Sequence, residues 1–412
     1  MKRLKAPIYR SAFRCQCGRP VFLANTQCIN CGSQLGFETS LLTMVALAPG
    51  PAPWCWRVAN RGDGALYRFC VNRQSASACN WLIPATDAYP SADLPDAPCL
   101  ACRLDRRMFD VSTTLNQQRW RDLETAKRRL LSQLLALGLP VDVRAPGVQG
   151  IAFDLLEPQS GKPVLTGHHD GVITLNVAEA DHTHREAART AMHEPYRTLL
   201  GHFRHEIGHY YWDRLVRDDP ARLASFRLLF GDERADYAKA LQRHYLNGPP
   251  THWALTFISS YASTHPWEDW AETWAHYLHI MDTVNTAASF GIDRDEVEYE
   301  SESFETRHLW RADLPGAQDF LDLLNAWVQL TQVMNELSRS MGQPDSYPFV
   351  LPYRAVAKLQ FIHDVVTASF RQRRDPPVQP PRPPQASPPP DPPGGAQRGI
   401  RSEAGAPPRA AG

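Results

Sequence analysis

The sequence predicts an α+β protein in which a mainly helical domain follows small units stapled by cysteine. Three observations lead there. All nine cysteines fall between Cys15 and Cys102, in a stretch rich in Gly, Pro and Trp that carries no sustained helical period. Beyond it, apolar residues return at three- and four-residue steps. Between these two parts and the main run of helices lies a β-branched segment, Val172 to Val177, with the pattern of a strand.

At 412 residues the chain exceeds a single small core. The reading divides it into a cysteine region at 1–110, a helical domain at 111–372 and a disordered Pro-rich tail at 373–412. The tail repeats Pro pairs and triplets among Gly, Ala, Ser and Arg, and cannot bury enough apolar surface to offset its ordering entropy. Forty-four basic residues balance 44 acidic ones, which removes any global electrostatic case for nucleic acid or a membrane surface. No apolar run approaches the roughly 18 to 20 residues that span a bilayer. The basic N-terminus, Met1 to Pro7, leads into no apolar export segment. The expectation is a cytoplasmic protein whose cysteines are reduced and bind metal.

The cysteines group by spacing. Cys15 and Cys17 precede Gly18, and Cys28 and Cys31 precede Gly32, so two turn-borne pairs can close one four-thiolate site. Cys70, Cys79, Cys99 and Cys102 supply a second, leaving Cys55 over. Four thiolates leave no open coordination position, so both sites are expected to be structural.

The helical domain opens with Trp120, Leu123, Ala126, Leu130, Leu134 and Leu137 on one helix, ended by Gly138 and Pro140. Lys127, Arg128 and Arg129 on it are read as a solvated face. The chemistry begins at His205-Glu206-Ile207-Gly208-His209. Histidines four apart on a helix stand one above the other and can share a tetrahedral metal, while the intervening glutamate can take a proton from water that the metal acidifies. Leu200, Phe203, Ile207, Tyr210 and Tyr211 are expected on the core side of that helix. Gly208 in its interior costs about 1 kcal/mol relative to Ala, which asks for a reason. His193-Glu194 starts a similar pattern but Arg197 stands where its second histidine would be.

A third ligand is sought on the helix that Pro266 begins. There Trp267, Trp270, Trp274, Tyr277 and Met281 form one stripe, and Glu268, Glu272, His276 and His279 another. Glu268 borders the apolar stripe and is preferred as ligand; Glu272 is the alternative ligand, or the partner that orients a ligand histidine. Asp232, Glu233 and Asp236 are read as surface charges, with a supporting role behind the metal ligands as the alternative.

With these pieces assembled, CQCG, CINCGSQLG, CNWL, CLACRL, LLGHFRHEIGHYYWDRL, FGDERADYAKAL and HPWEDWAETWAHYLHIMD, the chain resembles a zinc-binding metallopeptidase family that carries an N-terminal zinc-ribbon domain. The resemblance spans roughly Phe13 to Ala368. It implies a zincin-like catalytic domain of gluzincin order and one catalytic Zn2+ with one or two structural ones. A peptide or protein substrate would lie along the strand near Val172 to Val177. Tyr210, Tyr211 or His276 is the expected oxyanion partner. The alternative function is a regulatory adaptor, whose zinc ribbon binds nucleic acid or a protein partner and whose peptidase domain serves one dedicated target or none.

Overall fold

The computed structural model describes residues 9–62, 64–85, 97–159, 162–192, 194–292 and 302–374. Residues 375–412 of the Pro-rich tail and His193 lie outside them, while 373 and 374 belong to the last helix. Strands β1 (Phe13–Arg14) and β2 (Pro20–Val21) form a short hairpin. Strands β3 (Gln34–Glu38), β4 (Thr43–Pro49), β5 (Trp56–Val58), β6 (Leu66–Phe69) and β7 (Leu82–Pro84) form an antiparallel sheet in sequence order. A short helix α1 (Leu100–Arg103) then leads directly into β8 (Asp105–Arg107).

β8 belongs to a second sheet. With β9 (Ala152–Leu156), β10 (Gly167–His169) and β11 (Val172–Asn176) it gives the order β10-β11-β9-β8, parallel except for β10. The strand read from the sequence is therefore β11, and it is not an edge. Asp170 and Gly171 have φ of 46° and 78°, the positive values a two-residue hairpin turn requires, and they fold β10 back along β11. The edge toward the helices is β10.

The helices are α2 (Thr114–Ala136), α3 (His182–Ala191), α4 (Leu199–Leu215), α5 (Pro220–Phe230), α6 (Tyr237–Asn247), α7 (Pro266–Ser289), α8 (Ala317–Ser340) and α9 (Tyr353–Arg374). Thr198 caps α4 by accepting from Gly201 N, and His265 caps α7, with Pro266 at its first turn. α4 lies between the sheet and α7. Phe203 meets Phe153 of β9 edge to face at 5.6 Å, and Tyr211 stacks on Trp274 of α7 at 5.0 Å. Its middle turns are buried all round, so the expected division into a core face and a cleft face is only partial: Arg204, Glu206 and His209 are buried with Phe203, Ile207 and Tyr211.

Lys127, Arg128 and Arg129 correct the sequence reading. Lys127 is fully buried between Asp105 and Glu124, Arg128 donates to Ser77 O, and Arg129 holds both oxygens of Asp282 on α7. A buried cation is tolerable only with such counter-charges. Those of Lys127 come from β8 and from the helix itself, and so join the cysteine region to the helical domain. Asp282 also pairs with Arg204 and accepts from Tyr9 OH, which pins the N-terminal segment to the same helix.

Candidate metal centre

The eight cysteines named above meet in the two expected groups, Cys15, Cys17, Cys28 and Cys31, then Cys70, Cys79, Cys99 and Cys102. Sulfur separations run from 3.5 Å for Cys15 and Cys31 to 3.8 Å for Cys17 and Cys28 or Cys79 and Cys102. A disulfide is near 2.05 Å, whereas a tetrahedron with Zn–S of about 2.3 Å has edges of about 3.8 Å. The donor sets thus fit zinc. Gly18 and Gly32 take the left-handed φ that folds each first-site loop back. Cys55 joins neither group; its sulfur accepts from Ala52 N in a turn.

Ligand atoms of His205, His209 and Glu268 lie within 4.8 Å of one another. His205 Nε2 is 3.0 Å from Glu268 Oε2, and His209 Nε2 is 3.6 Å from Glu268 Oε1. Glu268 Oε2 is nevertheless buried without a hydrogen bond among the described residues. One carboxylate oxygen and two imidazole nitrogens are thus gathered close enough to share one ion. Glu206 is buried beside them. Three carboxylates, Glu206, Glu268 and Glu272, around two imidazoles leave negative charge in a desolvated place, and a divalent cation compensates it. The donor set, two nitrogens and one carboxylate oxygen, suits zinc with an open fourth position.

Local structure explains why α7 comes so close. Trp270 Nε1 donates to Gly208 O at 2.8 Å. A Cβ on Gly208 would stand 3.2 Å from Ala271 Cα, so the glycine noted in the sequence is the contact that lets the two helices meet. Glu272, one turn after Glu268, accepts from His205 Nδ1 at 2.7 Å and from Ser259 Oγ at 2.5 Å. That bond fixes the His205 tautomer and leaves Nε2 for metal.

The electrostatics follow from burial and these pairs. Burial alone would lower His205, yet Glu268 and Glu272 hold it well above the ordinary imidazole value. Burial would raise Glu268, but the two histidines keep it well below the usual carboxylate range. Glu206 is pushed up by burial, against the pull of both histidines.

Of the expected oxyanion partners, Tyr211 OH donates to Pro140 O and His276 Nδ1 meets Tyr347 OH, so both are engaged outside the candidate ligand group. Two other phenols come in. Tyr237 OH donates to Glu268 Oε1 at 2.7 Å, and the Tyr261 ring lies 6.0 Å from His205. Trp267, expected on the core stripe, covers His209 with ring centroids 4.1 Å apart. His168 of β10 lies against both rings, its centroid 6.2 Å from His209 and 6.3 Å from Trp267. His279 accepts from Arg204, Asp232 and Glu233 pair with Arg234 and Arg227, and Asp236 caps α6.

Residues 116–365 match a family described as "Putative zinc-binding metallo-peptidase", and residues 12–113 match a zinc-ribbon domain. The chain belongs to this metallo-peptidase family. It is similar to uncharacterized proteins of Mycobacterium bovis and Mycobacterium tuberculosis, each 40% identical over 356 residues, 86% of this chain and 94% of the relative. No solved structure matches it. The family's matched segment begins at 116, whereas β8, which pairs with β9, lies within the ribbon's segment. No helix among the described residues is long and apolar enough to cross a membrane.

Proposed function

We propose that the chain is a zinc peptidase whose metal is held by His205, His209 and Glu268, with Glu206 as general base. The observation that carries this reading is the convergence of those three ligand groups beside a buried carboxylate on the same helix. Bound there, zinc would polarise the scissile carbonyl and acidify the attacking water. Glu206 accepts the proton of that water on its carboxylate and returns it to the leaving amine nitrogen. Its desolvated position favours holding the proton between the two steps.

Glu272 and Ser259 hold His205, and Tyr237 holds Glu268 by one oxygen while leaving the other for metal. Tyr261 is the phenol we assign to the developing oxyanion. The fold we read as zincin-like, because an edge strand, β10, runs beside the helix that carries both histidines. Its outer edge can pair with an extended peptide. The two four-cysteine sites are structural in this reading, and thiolate clusters of this kind favour a reducing, cytoplasmic compartment.

The test is digestion of a mixed peptide library by the zinc-loaded full chain, read by mass spectrometry. New termini made by the wild type and reduced about 100-fold or more by Glu206→Gln support the reading. Their absence, or their survival in Glu206→Gln, contradicts it.

A further inference from the structure

The two four-cysteine groups differ in what covers them. Cys70, Cys79, Cys99 and Cys102 are at most 8% exposed. In the first group only Cys15 and Cys28 are buried, while Cys17 and Cys31 are exposed. Their loop neighbours Gln16, Gly18, Asn30 and Gly32 are exposed as well, and Ile29 stands fully in solvent. A dissolved reagent therefore reaches the first group and not the second.

Within the first group each exposed cysteine has a buried one beside it. Cys31 Sγ is 3.5 Å from Cys15 Sγ, and Cys17 Sγ is 3.8 Å from Cys28 Sγ. The two pairs nest along the chain, Cys15 with Cys31 outside Cys17 with Cys28, so links within both can coexist. Cysteine is a zinc ligand as the thiolate, which is also the form that attacks an oxidant. Among thiolates, the exposed ones are the more susceptible.

We propose that the first four-cysteine site is a modification site for a two-electron oxidant of the peroxide class. Oxidation turns it from a zinc site into two disulfides, Cys15–Cys31 and Cys17–Cys28, while the second site keeps its zinc. An exposed thiolate attacks one peroxide oxygen, the O–O bond breaks, and a sulfenic acid and a hydroxide result. The buried thiolate beside it then attacks that sulfur and expels a second hydroxide, which closes the disulfide. Each disulfide thus takes two electrons from two thiolates and reduces one peroxide. Two peroxides consume all four ligands and free the ion as Zn2+, its charge unchanged. In a reducing compartment cellular thiols reverse the step, so the disulfides are transient. His205, His209 and Glu268 belong to a separate group, and the zinc proposed there is counted apart from the zinc released.

The test uses the full-length, zinc-loaded protein, treated with hydrogen peroxide, alkylated at its free thiols and desalted. Elemental analysis counts the zinc, and fragmentation mass spectrometry of chymotryptic peptides locates the links. About one zinc per chain should be lost together with formation of Cys15–Cys31 and Cys17–Cys28, at least about 10-fold faster than Cys70, Cys79, Cys99 and Cys102 react. Dithiothreitol with added zinc should restore the ion. Cys55→Ser should respond as the wild type does, since Cys55 belongs to neither group. Zinc lost without those two links, links formed as fast among the buried four, retention of all zinc and thiols, or a response that disappears in Cys55→Ser overturns the proposal.

Discussion

Gly208 of α4 and Trp274 of α7 touch where the two helices cross: a Cβ on the glycine would stand 3.2 Å from Trp274 Cβ and Cδ1. Trp274 is completely buried and cannot yield. Alanine here gains about 1 kcal/mol of helix propensity but incurs overpacking of about 1–3 kcal/mol. Gly208→Ala should therefore lower the melting temperature by a few degrees. It should also weaken zinc binding about 10-fold or more, because Glu268 and the two histidines are carried on the helices it separates. A calorimetric scan and a competition titration with a chelator measure both; an unchanged zinc affinity would detach the crossing from the metal centre.

Glu272 touches His205 on the side away from Glu268. Glu272→Gln keeps a hydrogen-bond acceptor but removes the charge that orients the imidazole, so zinc should be retained with affinity reduced about 10- to 100-fold. Glu268→Gln should lose that zinc. The reverse result, measured by elemental analysis after dialysis, would exchange the two assignments.

Tyr261→Phe should lower kcat about 10- to 1,000-fold with zinc content and KM little changed, since an oxyanion donor acts in the transition state. Tyr237→Phe should instead act mainly on zinc affinity, through Glu268. Steady-state kinetics beside zinc analysis separates them.

His363 on α9 is half-buried with its Nδ1 3.2 Å from Tyr277 OH, and desolvation lowers its pKa to about 4. Between the unfolded value near 6.5 and that value, the unfolded chain binds a proton the native one refuses. Stability is thus full above about pH 6.5 and falls as pH drops toward 4, by up to about 3 kcal/mol from this group. His363→Gln should flatten that acid slope. Melting temperatures of wild type and variant at pH 7.5 and 5.5 give the comparison; parallel losses in the two proteins would rule the group out.

The glutamate and both histidines of the proposed metal centre were legible because each helix advertises itself locally. Thr198, Pro266 and the apolar periods mark where α4 and α7 run, and the four-residue step brings His205 under His209. The cysteine groups were legible for the same reason. Tyr237 and Tyr261 were not, because nothing in their own segments says that α6 and the 3-10 turn at Tyr261–Ser263 close over α7. Lys127 and Arg128 looked solvated since Asp105 and Ser77, their partners, lie in other elements. The β10 hairpin is a different case: Asp170-Gly171 is a local turn signal, present in the sequence, and it identifies the edge strand.

The central claim is that one zinc rests on His205, His209 and Glu268 while two others rest on thiolates. Zinc counted by elemental analysis in the full-length wild type, His205→Ala, Glu268→Gln and Glu206→Gln tests it most directly. The account predicts about three, two, two and three ions per chain, following the three donor groups. Three ions in His205→Ala or Glu268→Gln would contradict it, as would two in the wild type.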